Sequence, residues 1–78
     1  MYKAVTEVVP INNYQLLLTF ENSEKRIFDL KPYLDKGIFK ELNNEEKFNT
    51  VRVSFDSIEW ENHADIDPEV LYEDSVVI

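Results

Sequence analysis

The side chains best able to do chemistry in this sequence lie close together near its end: His63, Asp65, Asp67 and Glu69. Alternating carboxylates beside an imidazole could offer oxygens to a hard cation. A calcium loop, however, needs a glycine at its sharp turn and a bidentate glutamate further along, and Pro68 blocks that backbone path. A transition metal would need more nitrogen or sulfur than a single His and no Cys can supply. The same residues also read as a solvated loop leading into a helix. Asp67 is then the N-cap, Pro68 the first helical residue and Glu69 a carboxylate near the positive end. No metal ion and no cofactor are expected.

Paired carboxylates also raise the question of acid–base catalysis. A glycosidase needs two carboxyls about 5 to 9 Å apart across a cleft, one with a raised pKa. A chain of 78 residues has little volume from which to carve that cleft. One Gly excludes glycine-rich phosphate loops, and no Gly-flanked Ser presents a nucleophile. The absence of Cys removes disulfides, zinc knuckles and thiol catalysis. A small metal-binding enzyme is therefore the weakest reading, and the expectation is a protein that is not an enzyme.

Charge is more informative. Residues 1–52 carry 8 acidic and 8 basic side chains, which cancel. Residues 53–78 carry the other 8 acids and no Lys or Arg, so the net charge of −8 sits in the last third. Such a chain repels nucleic acid and anionic membranes, which need clustered cations. The segment is not a polyacidic tail, because Phe55, Ile58, Trp60, Ile66, Val70, Leu71 and Tyr72 interleave its acids. Trp60, between Glu59 and Glu61, is the aromatic residue best placed to be partly exposed, although a core position suits it better. An exposed Trp rimmed by carboxylates would anchor an interface. The expected partner surface is therefore Glu59, Trp60, Glu61, Asp65, Asp67, Glu69, Tyr72 and Glu73.

The elements that must hold these residues follow from periodicity. Aromatics at 13% and hydrophobics at 44% support one small domain over residues 1–78. Residues 2–11 read as a strand whose end Pro10 places at a sheet edge or past the ladder. After the turn Asn12-Asn13, residues 14–20 alternate, with Tyr14, Leu16, Leu18 and Phe20 on one face. Asn22-Ser23 turns the chain into a third strand, residues 25–30, completing a meander. Pro32 opens a one-turn helix that Gly37 ends, and Ile38, Phe39 and Leu42 form a helical stripe. Asn43-Asn44 stops that helix, and a further turn over residues 45–48 points Phe48 inward. Residues 51–55 alternate as a fourth strand, Asp56-Ser57 turns, and residues 58–60 return. The architecture expected is α+β: a small curled antiparallel sheet, with a three-stranded meander, short helices and then a further hairpin. The start of the chain lacks a signal-like apolar stretch, and runs such as Leu16-Leu17-Leu18 are too short for a membrane span. A soluble, cytoplasmic protein is expected.

The ordered motifs Tyr14-x-Leu16-x-Leu18-x-Phe20, Arg26-x-Phe28-Asp29-x-x-Pro32-Tyr33-Leu34, Gly37-x-Phe39-x-x-Leu42, Phe48-x-x-Val51, Ile58-x-Trp60 and Asp65-Ile66-Asp67-Pro68-Glu69-x-Leu71-Tyr72 resemble the domain of unknown function 2442 family of small bacterial proteins. The resemblance runs over nearly the whole chain. It implies a compact α+β fold with a meander sheet and no catalytic motif. Some relatives carry a downstream helix-turn-helix that this chain lacks, so direct nucleic-acid binding is not expected. The resemblance further implies an antitoxin of a toxin–antitoxin module, its partner a small toxin of the domain of unknown function 4160 family. The charge asymmetry fits a basic partner. The leading expectation is thus an acidic, non-enzymatic protein-binding module that neutralises a small basic protein. The alternative is a structural or adaptor domain forming a homo-oligomer through a sheet edge.

Overall fold

The computed structural model describes residues 3–78, so the proposed strand start at Tyr2 lies outside the described residues. Strands β1 (Val5–Ile11), β2 (Gln15–Phe20) and β3 (Lys25–Asp29) form the antiparallel meander. A short strand, β7 (Val76–Val77), pairs antiparallel with β3, giving the order β1-β2-β3-β7. Alternation fixes the inner face: Leu16, Leu18, Phe20 and Phe28 are buried. The first turn is longer than Asn12-Asn13. Register pairs Ile11 with Gln15, so Tyr14 belongs to the turn and takes φ 58° beside Asn13 at 63°. Asn tolerates this left-handed conformation readily. Tyr14 is held in it by its hydroxyl, which donates to the Asn43 carbonyl, and by the edge-on ring of Phe48 at 5.2 Å. In the second turn Asn22 Oδ1 accepts from the Glu24 amide at 3.2 Å, and Ser23 takes φ 67°.

Two 3-10 helices follow, Lys31–Tyr33 and Gly37–Asn43. Gly37 opens the second helix rather than ending the first, and its φ of 49° is the conformation that favours glycine. Three residues per turn align Phe39 with Leu42 and carry Ile38 outward. Leu42 is therefore buried, while Ile38 is exposed and stands outside the expected stripe. Asn44 caps α1 (Glu45–Phe48), its Oδ1 accepting from the Lys47 amide at 3.2 Å, and Phe48 points inward.

The second sheet is β4 (Arg52–Ser54), β5 (Ser57–Glu59) and β6 (Asp65–Ile66), all antiparallel. Its hairpin turn is Phe55-Asp56, one residue earlier than expected, because Ser54 pairs with Ser57. Helix α2 (Pro68–Asp74) starts as the sequence suggests, with Asp67 Oδ1 accepting from the Glu69 amide at 2.9 Å. The two sheets meet where the Val5 amide donates to the Asp56 carbonyl at 3.0 Å. Short helices and two antiparallel sheets share one core, a small α+β fold.

Trp60 sits in that core with no exposed surface. Its Nε1 donates to the Phe48 carbonyl at 2.9 Å, with Phe39 edge-on at 6.1 Å. The indole thus buries its ring and satisfies its only donor. The core position that suited Trp60 better is the one found, and it removes Trp60 from the expected partner surface, while the flanking Glu59 is half-buried and Glu61 exposed.

Candidate functional site

The β4–β5 hairpin, β6 and the start of α2 enclose a shallow groove of about 500 Å³. Phe55, Glu59, Asp65, Asp67 and Pro68 line it. Cross-strand pairing sets the acids: Glu59 stands opposite Asp65 on one side and opposite Arg52 on the other. Like charges directly opposite repel, so Glu59 must be compensated. Arg52 Nη2 lies 3.2 Å from one Glu59 oxygen, and His63 Nδ1 lies 3.3 Å from the other. The hydrogen bond with His63, then that with Ser54 and the charge of Arg52, hold the Glu59 carboxyl below its ordinary value despite partial desolvation. His63 reaches this position from φ 72° in the turn after Trp60, where Asn62 Oδ1 accepts from the Ala64 amide at 3.0 Å. Asp65 and Asp67 are exposed, so the groove keeps an anionic wall.

At the tip of the hairpin stands Phe55, 97% exposed. A two-residue loop between twisted strands wants φ above zero at both positions, as at Phe55 (47°) and Asp56 (68°). Asn and Gly serve there at little cost, whereas a bulky ring in the left-handed region is strained by about 1 to 2 kcal/mol. The ring makes no compensating core contact. Phe55 is thus an apolar side chain held in water, at a conformational cost, beside a row of carboxylates.

The remaining residues singled out in the sequence divide in two. Glu61, Glu69 and Glu73 are exposed but do not line the groove; Glu61 borders another concavity, with Lys47 and Asn62. Tyr72 is half-buried and structural. Its hydroxyl donates to Glu24 Oε1 at 2.9 Å, Phe20 meets its ring edge-on at 5.0 Å, and the Arg26 guanidinium covers it at 4.0 Å. The sequence reading missed Phe55 because Val51, Val53 and Phe55 alternate like a strand. The signal available was the pair Phe55-Asp56, positioned for a two-residue turn between alternating runs. Asp67 spends its carboxylate on the helix cap. Among the described residues, no group of three His, Asp or Glu side chains is placed to hold a metal ion. Among them, too, no helix is long and apolar enough to cross a membrane.

The family model described as protein of unknown function (DUF2442) matches residues 5–76. No curated protein and no solved structure matches the chain.

Proposed function

The chain belongs to the DUF2442 family, and on that premise we propose that it is a non-enzymatic protein-binding module that docks a small basic protein in its acidic groove. One observation carries the reading: an almost fully exposed Phe55, strained at a hairpin tip, next to Glu59, Asp65 and Asp67. An aromatic anchor with a charged rim is the arrangement in which a few residues dominate binding. Carboxylates along the groove favour a partner whose apolar pocket is ringed by Lys and Arg. An antitoxin that covers a basic toxin of the domain of unknown function 4160 family is the specific form this function takes.

The test has two steps: a search of the neighbouring genes for a short basic protein, whose absence counts against the reading, and calorimetry of the purified chain with that protein at low salt. Phe55→Asn suits the left-handed backbone, so it removes the ring without disturbing the turn. Affinity should fall at least tenfold while the melting temperature holds or rises. Unchanged affinity, or no association of the wild-type chain at low salt, ends the proposal.

A further inference from the structure

The face of the meander sheet turned away from the core carries a continuous apolar row. Register places Val9 beside Leu17, Leu17 beside Ile27, and Ile27 beside Val76, one residue from each of the four strands. None of them joins the core cluster. Val9 and Val76 are 47% and 67% exposed, while Leu17 and Ile27 are half-buried. On one side of the row, Glu7 and Lys25 flank Thr19, and Lys25 Nζ reaches across to Thr19 Oγ1 at 3.1 Å. On the other side, Ile11 and Asp29 flank Gln15, and Asp29 pairs with Lys31 at 3.1 Å. Acids and bases balance on this face, unlike the groove.

We propose that this open face is the interface of a homodimer, formed by two copies packing their meander sheets face to face. Local charge, not net charge, fits a second copy. The face is neutral, so two copies can pack it together without opposing like charges there; their net charges of −8 repel at longer range, and salt screens that repulsion. A two-fold axis along β2 sets Leu17 on the partner's Leu17, Val9 on the partner's Ile27, and Glu7 opposite the partner's Lys25. That is the self-complementarity an isologous contact demands. Packing through strand edges is disfavoured. The β1 edge carries Pro10 and a register irregularity between Val5 and Glu7, and the β4–β5 hairpin approaches its start. β7 offers only two residues. Three strands of each copy overlap about such an axis; at about 4.8 Å between strands and about 3.3 Å per residue they give a footprint of roughly 250 Å² per copy. That is about a third of the ~800 Å² each partner of a standard interface buries, so the dimer dissociates on dilution.

Sedimentation equilibrium from micromolar to millimolar protein reads this directly. The mass should rise from 9.3 kDa toward twice that value. Leu17→Lys, which sets two like charges on the axis, should hold the mass at the monomer value while leaving the fold intact by circular dichroism. Should Leu17→Lys fail to fold, Val9→Lys, which sets a charge against the partner's Ile27, should hold the mass at the monomer value instead, and a dimer that forms regardless overturns the proposal. Glu7→Lys and Lys25→Glu should each raise the dissociation constant at least fivefold, and the double exchange should restore it. A monomer at all concentrations overturns the proposal. So does a dimer untouched by Leu17→Lys but dissolved by Val77→Pro, which would mean edge pairing.

Discussion

Phe55 bears two costs that folding alone would remove. Its backbone sits in the left-handed region, and its ring faces water. Phe55→Asn should therefore stabilise the isolated protein by up to about 1 kcal/mol, seen as a higher denaturant midpoint at unchanged slope. A loss of stability would mean that the ring packs against something. Asp67 makes the opposite case, since its carboxylate serves the fold. Asp67→Ala should cost about 0.5 to 2 kcal/mol in thermal or chemical unfolding, and Asp67→Ser should recover most of it. The sequence alone showed this cap, because Asp-Pro-Glu before an apolar run is a local signature with a local mechanism. It favoured a core position for Trp60 but did not show what covers the ring, because that depends on which distant residues arrive there, here Phe39 and Phe48.

The elements differ in how legible they were for the same reason. β2 and β3 alternate over five or six residues, enough to declare a face. β6 and β7 hold two residues each, too few for any period, and exist because β5 and β3 supply partners. β7 is held by more than its ladder. Arg26 donates through Nη1 to the carbonyls of Tyr72 at 3.1 Å and Ser75 at 2.9 Å, so it caps the end of α2. Its Nε pairs with Glu24 Oε2 at 2.7 Å. Hydrogen bonds from Asn22, then Tyr72, and then the contact with Arg26 hold the Glu24 carboxyl below its ordinary value. A depressed carboxylate stabilises the fold fully above its unfolded value near 4.5 and loses that contribution as pH falls through the folded value. Glu24→Gln should accordingly flatten the acid limb of the stability curve below about pH 5, and leave neutral-pH amide exchange faster across residues 72–78. An acid limb identical to wild type would show that Glu24 is not the lock.

At the scale of the molecule, the two sheets divide the charge. Residues 1–52, which hold the meander, sum to zero, and residues 53–78, which hold most of the second sheet and α2, carry 8 acids that only Arg52, at their margin, opposes. A field of that kind acts before contact, so it should govern the rate of association with a basic partner more than the lifetime of the complex. Raising salt from 50 to 300 mM shortens the Debye length from roughly 14 to 6 Å, and association of the wild-type chain should slow steeply over that range. Position then separates the acids. Asp65→Lys, inside the groove, should slow association and flatten its salt response more than Glu61→Lys or Glu73→Lys outside it. None of these should change dissociation as much as Phe55→Asn, which removes the anchor and leaves the field intact. Stopped-flow kinetics of the four variants distinguish the two contributions. Association that is indifferent to salt, or equally affected by all three reversals, would mean that the acids keep a small protein in solution and do not steer a partner to the groove.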